Sequence, residues 1–146
     1  MPLCEWPHER RRLIKEPALI KTAIEEFLHF ESSNQLGNRI TLQDTEIAGI
    51  AMQQGTRIHL CLGGANRDPA QFPDPDRLDL ARTPNRHLAF AWGILACAGM
   101  SLARLEGRVA LAQFLRRFPS YGLSAQPDRG KRARFRGFVR IPCRLN

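Results

Sequence analysis

The segment Phe90-Ala91-Trp92-Gly93-Ile94-Leu95-Ala96-Cys97-Ala98-Gly99, followed at once by Met100-Ser101-Leu102-Ala103-Arg104-Leu105-Glu106, constrains this chain more than any other stretch. A cysteine held in a glycine-punctuated loop just before a helix has its thiolate stabilised by the helix dipole and by N–H groups without intrahelical partners. Such a thiolate is a competent metal ligand. An isolated cysteine is more often a small buried hydrophobe, so the weight falls on its flanks. Gly93 permits a positive-φ backbone, and Gly99 permits close approach at the start of the helix.

The rest of the chain reads as α+β. Leu19, Ile20, Ala23, Ile24, Phe27 and Leu28 recur at helical spacing behind Pro17, predicting an amphipathic helix over residues 17–30 that ends at Ser32 and Ser33. From Arg39 to Leu62 the pattern shifts to short β-prone pieces at 39–42, 46–47, 50–52 and 56–60, broken by Ala48-Gly49 and Gly55, which predicts a small meander. Residues 66–89, with Pro69, Pro73, Pro75 and Pro84, are expected to be ordered but irregular. The longest predicted helix covers residues 100–118, with Leu111, Phe114, Leu115 and Phe118 on one face, Arg116-Arg117 near its end and Pro119 closing it.

The spacing Phe-x-x-Gly-x-x-x-Cys-x-Gly at Phe90, Gly93, Cys97 and Gly99 resembles the haem-thiolate loop of the cytochrome P450 family. The likeness extends upstream through Gly63-Gly64-Ala65-Asn66-Arg67-Asp68-Pro69 to Leu80, and continues in Pro84-Asn85-Arg86-His87-Leu88-Ala89-Phe90. Glu16 to Phe30 resembles the family's K helix, and Arg134 to Pro142 its C-terminal strands. The implied fold is α+β, the C-terminal part of the P450 fold: K helix, small β meander, Cys haem loop, L helix and C-terminal strands. Residues 1–146 are therefore expected to form one partial, truncated P450 domain, the proximal haem-binding half, with no second domain.

The resemblance makes haem the cofactor and Cys97 the axial thiolate ligand of its iron. It places Phe90 beside the ligand in apolar surroundings that tune the metal, Gly93 at the positive-φ turn, and Gly99 where the helix start lies against the porphyrin. Arg39 and His87 resemble propionate ligands, cations suited to charge-assisted hydrogen bonds. No catalytic acid or base is assigned, because the distal helix and the substrate-enclosing segments have no counterpart here.

Several positions depart from the family pattern. The Glu-x-x-Arg signature of the K helix reads Glu26-Phe27-Leu28-His29, so the usual permanently charged, fork-shaped arginine is a histidine. Arg77 matches the third member of that network and is expected to pair with Glu26. A third propionate donor, usual two residues before the cysteine, is Leu95 here. Ala91 stands where glycine is common, and with Trp92 beside it is expected to crowd the loop. His8 and His59 read as structural or exposed.

Lys and Arg number 22 against 14 Asp and Glu, a formal charge of +8. That excess suits nucleic acid, an acidic protein partner or a well-solvated surface. Phe135 and Phe138 lie among Arg129, Lys131, Arg132, Arg134, Arg136, Arg140 and Arg144, a mixture seen in single-strand binders. No nucleic-acid motif accompanies it, and a face for an acidic electron donor is the preferred reading. By resemblance the donor is a ferredoxin or flavodoxin.

No apolar run is long enough to span a bilayer and the first twelve residues are polar and basic, so a cytoplasmic, non-membrane protein is expected. Cys4, Cys61, Cys97 and Cys143 are scattered, without CxxC or zinc spacing.

Two kinds of molecule fit. One is a haem-thiolate monooxygenase-like chain for O2-dependent oxidation of an organic substrate, inactive in isolation because distal elements are absent. The other is a catalytically inactive remnant, or a small basic interaction protein. In either case, apolar faces on the helices at 17–30 and 100–118 are expected to be open to a complementary subunit or to self-association.

Overall fold

The structure is a computed structural model and describes residues 1–145. Prolines open the first elements: Pro2 begins α1 (Pro2–Glu5), Pro7 begins α2 (Pro7–Lys15), and Pro17 begins a 3-10 turn that runs into α3 (Ile20–Phe30). Proline suits a first helical position because its missing N–H has no partner there in any case. The polar composition of the N-terminus concealed α1 and α2 from the sequence reading.

The expected meander is instead a pair of nested antiparallel ribbons. β1 (Leu36–Ile40) pairs with β4 (Arg57–Cys61), Leu36 opposite Cys61 and Ile40 opposite Arg57. Between them β2 (Thr45–Ile47) pairs with β3 (Ile50–Met52) as a separate two-stranded sheet. Its two-residue turn, Ala48-Gly49, takes φ of 51° and 79°, the double left-handed geometry that matches strand twist in tight hairpins. A short helix α4 (Leu62–Ala65) follows, and residues 66–92 hold no strand or helix, as expected.

α5 (Met100–Arg117) is the longest element and crosses α3 closely. Gly107 makes the crossing possible, since a Cβ there would stand 3.2 Å from Ile24 Cδ1. Leu3, Leu13, Ala23, Leu78, Leu80, Leu115 and Tyr121 form the buried core, with Phe27, Leu111, Phe114 and Phe118 packed around it. β5 (Gly122–Leu123) pairs with β6 (Cys143–Arg144), and the segment between them is tied down by the Asn34–Phe135 and Asp128–Arg140 bridges.

The two helix faces expected to be open differ. The apolar residues of α3 are buried or half-buried, so that face is covered within the chain, a correction to the sequence reading. α5 carries a second apolar stripe, Leu102, Leu105 and Val109, that is more than half exposed. The surface totals 10035 Å² for 16.6 kDa. A compact monomer of that mass exposes roughly 7,600 Å².

Beneath the irregular stretch lies a buried carboxylate. Glu26 Oε2 accepts from Arg82 Nε at 2.9 Å, His29 Nδ1 at 3.1 Å and Asn85 Nδ2 at 3.1 Å, while Oε1 accepts from the Asp79 N–H at 3.0 Å. The arginine is Arg82, which corrects the expected pairing with Arg77. Arg77 is exposed; its carbonyl accepts from Arg82, which also donates to the Pro73 and Asp74 carbonyls. Removing one partner of a buried ion pair costs about 3–5 kcal/mol. Arg82→Leu is therefore expected to lower unfolding free energy by about 3 kcal/mol or more, and Arg77→Leu by less than about 0.5 kcal/mol, in denaturant titrations of the two variants.

Candidate functional site

The cysteine loop is built from local hydrogen bonds around a few fixed points. The Ala91 N–H donates to Leu88 O (2.9 Å), Ala96 N–H to Gly93 O (3.0 Å), Cys97 N–H to Phe90 O (2.9 Å) and Met100 N–H to Cys97 O (3.1 Å). Gly93 adopts φ +71° in open space, the turn anticipated for it, and a short 3-10 turn spans Gly93–Leu95. Ala91 also sits at positive φ, +60°, a conformation that costs a residue with a Cβ roughly 1–2 kcal/mol.

Cys97 is exposed, which overturns the plain reading of it as a buried hydrophobe. It lies three residues before α5. A Cβ added at Gly99 would lie 3.9 Å from its sulfur, so glycine keeps that flank open. Trp92, Ile94 and Leu95 project outward, at 77%, 102% and 57% exposure, so Trp92 does not crowd the loop as expected.

The three remaining site candidates divide. Arg39, on β1, is exposed and its guanidinium donates only to its neighbour's carbonyl, Asn38 O at 2.8 Å; among the described residues no carboxylate pairs with it. It fits the role of a propionate donor. His87 is 7% exposed, with Nε2 3.1 Å from Glu25 Oε2 and Nδ1 accepting from the Ala89 N–H at 3.3 Å. Both of its ring nitrogens are engaged, so it reaches a propionate only by leaving Glu25. Phe90 is half-buried beneath the Arg104 guanidinium, 5.0 Å from its ring centroid. His87, Phe90, Ala91, Gly93, Met100 and Arg104 line a cavity of about 370 Å³ under the loop.

Arg104 and Glu25 escaped the sequence reading. Arg104 donates to Glu25 through Nε (2.7 Å) and Nη2 (2.9 Å), a two-point pairing. Burial pushes the Glu25 carboxyl up, but the hydrogen bonds from Arg104 and His87 outweigh it and hold it below its ordinary value. Burial depresses His87 below the usual histidine value despite Glu25, and the bond to Glu25 raises Arg104. The group is thus an ionised acid, a cation and a neutral imidazole. The signal available in the sequence was the doubled acid Glu25-Glu26, which places one carboxylate on each side of α3.

The donor set suits haem: one accessible cysteine sulfur for the iron, open space beside it, and an unpaired cation at β1. Among the described residues no three His, Cys, Asp or Glu converge as a chelating site, so a metal held by several side chains is a poorer match.

These features are those of an exposed cysteine loop braced on a carboxylate-bearing helix. A family model, Cytochrome P450, matches residues 12–143. The biotin biosynthesis cytochrome P450 of Bacillus subtilis is 43% identical over 122 residues, 84% of this chain and 31% of the relative. The polyketide biosynthesis cytochrome P450 PksS of the same organism is 37% identical over 150 residues, 100% of this chain and 37% of the relative. The crystal structure of P450BioI in complex with an acyl carrier protein ligated to hexadec-9Z-enoic acid superposes with a TM-score of 0.95 at 39% identity, over 99% of this chain and 38% of that one. The chain belongs to the cytochrome P450 family, and it spans about a third of the length of the curated relatives it matches.

Two measurements check this geometry. Ala91→Gly relieves the left-handed strain and is expected to raise unfolding free energy by about 1 kcal/mol. Glu25 and His87 both titrate lower when folded, so the unfolded chain binds more protons and stability grows with pH. The Glu25 contribution is lost as pH falls through its depressed folded value, and the His87 penalty grows below the ordinary histidine value near about 6.5. The melting temperature should climb from about pH 4 to about pH 7, and His87→Phe should flatten the upper part of that climb.

Proposed function

We propose that this chain forms the haem-thiolate side of a P450 monooxygenase, with Cys97 as the axial ligand. The observation that carries this reading is the exposed Cys97 thiol just before α5, flanked by Gly99, in a chain that superposes on part of a solved P450 structure with a TM-score of 0.95. Gly93 and Gly99 shape the surface on which the macrocycle lies, and Phe90 keeps water from that side of the loop. Arg39 holds a propionate; His87 serves the same edge only in exchange for Glu25, and otherwise braces the loop.

When bound, haem supplies O2 activation for insertion of one oxygen atom into an organic substrate, with electrons from NAD(P)H delivered through a ferredoxin or flavodoxin. The residues of this chain supply ligation, orientation and the charge pattern beneath the loop. Water exclusion, substrate placement and proton delivery on the opposite side need groups that these 146 residues do not supply. We therefore expect no turnover from the chain alone. The open Leu102, Leu105 and Val109 stripe and the surplus surface favour cover by further protein surface, on the same polypeptide, on a complementary one or on a second copy.

The basic tail serves the fold. Arg129 pairs with Glu31 at 2.7 Å and stacks on Phe138 at 4.1 Å, Arg136 reaches Glu31 at 3.3 Å, and Arg134 lies over Phe135 at 5.2 Å. Aromatic faces covered by the chain's own guanidinium groups are poor platforms for bases, so the charge is better suited to an acidic protein surface.

The test is the ferrous carbon-monoxide difference spectrum of the haem-reconstituted chain. A red-shifted thiolate-type Soret band that disappears in Cys97→Ala is expected; the same band in both proteins, or none in either, refutes the ligand assignment. Arg39→Gln should keep the band but weaken haem retention about tenfold, the worth of one charge-assisted hydrogen bond.

A further inference from the structure

We propose that Glu25 is the positioning residue of the cysteine loop, joining α3, α5 and the loop through one carboxylate and cancelling the charge of Arg104 over Phe90. The proposal rests on the haem-thiolate reading only for its consequence at the iron.

The adjacent acid, Glu26, is turned into the buried network under residues 79–85. Glu25, 28% exposed in its side chain, faces α5 and the loop instead. Arg104 grips both of its oxygens, at 2.7 and 2.9 Å, and His87 Nε2 reaches Oε2 at 3.1 Å. Because Nδ1 of His87 accepts the Ala89 N–H, the ring proton sits on Nε2 and is donated to Glu25. Arg104 then caps the Phe90 ring, and Phe90 O accepts the Cys97 N–H at 2.9 Å. A continuous set of contacts therefore runs from the Glu25 carboxylate to the backbone of the ligand cysteine.

The loop has little else to hold it. Trp92, Gly93, Ile94, Leu95 and Cys97 are exposed. Among the described residues its only other side-chain anchor between 87 and 99 is Asn66 Oδ1, which accepts the Leu88 N–H at 2.7 Å. Charge gives Glu25 a second task. Arg104 lies in the first two turns of α5, where a cation adds to the positive potential of the helix N-terminus near Cys97. Paired with Glu25 it adds no net charge; unpaired it would draw electron density from the sulfur and favour reduced iron.

The test compares Glu25→Gln, Arg104→Gln and their double variant with the parent chain. In the haem-free protein, amide hydrogen exchange over residues 88–99 should accelerate about tenfold or more in Glu25→Gln, with the β1–β4 ribbon unchanged. Unchanged loop exchange overturns the proposal, as does an equal acceleration in the ribbon, which would mean general destabilisation. In the reconstituted protein, the Fe(III)/Fe(II) midpoint potential should rise in Glu25→Gln and return toward the parent value in the double variant, where the cation is also gone. A potential that stays raised in the double variant overturns the charge-cancelling role. Should the parent show no Cys97-dependent thiolate band, the haem reading fails, and exchange in the haem-free chain still decides the positioning role.

Discussion

The rest of this structure depends on one buried carboxylate. Glu26 has no exposed surface, and an ionised group there is tolerable only because four donors meet its two oxygens. Three of them, the Asp79 N–H, Arg82 and Asn85, come from the irregular stretch between α4 and the cysteine loop. Arg82 in turn donates to the carbonyls of Pro73, Asp74 and Arg77. A segment with no ladder of its own is thus folded around α3 by side chains that satisfy its backbone. The histidine at 29 is instructive: Nδ1 keeps the bond to Glu26, Nε2 has no partner, and the ring packs on Phe72 at 4.3 Å. The guanidinium that the carboxylate needs comes from Arg82, so loss of arginine at 29 removes one fork and leaves the hub standing.

Much of this was legible in the sequence, and the failures have physical causes. α5 announced itself by its length, its basic last turn and Pro119, and the cysteine loop by its glycine spacing. The positive φ at Gly93 followed from the motif. The β segments were found nearly where they lie, but not their pairing. The short runs at 45–47 and 50–52 pair only with each other, and the Ala48-Gly49 turn closes them before any third strand can join. Arg77 and Arg82 are five residues apart in one irregular stretch; which one turns inward depends on the Asp74–Arg77 turn, where the Arg77 N–H meets Asp74 O at 3.0 Å. Local propensity carries no record of that choice. Arg104 was hidden for a similar reason, since its partner lies 79 residues away.

Periodicity placed one apolar stripe on α5, whereas the helix carries two, one packed inward and one exposed. Leu111, Phe114, Leu115 and Phe118 pack inward at its C-terminal half, while Leu102, Leu105 and Val109 face outward in its N-terminal half, beyond the loop that carries Cys97. Helical periodicity identifies apolar faces but not which of them finds a partner within the same chain. The exposed stripe at the start of α5 and the outward Trp92, Ile94 and Leu95 flank the thiol in sequence, and the total surface is about a third larger than a compact monomer of this mass would show.

That coincidence bears on how the thiolate could be used. A helix N-terminus and a low-dielectric neighbourhood stabilise charge on sulfur in opposite senses: the dipole favours the thiolate, whereas burial without a cation disfavours it. In this chain the dipole acts on a cysteine still open to solvent, and Arg104, the cation over Phe90, is neutralised by Glu25. Covering the apolar surface around the loop would remove water from the sulfur, strengthening every local field, and only then would the arrangement of Glu25, Arg104 and Phe90 exert its full effect on a ligand at Cys97. The proximal loop is therefore assembled by this chain alone, whereas its electrostatic environment is completed by whatever closes over α5.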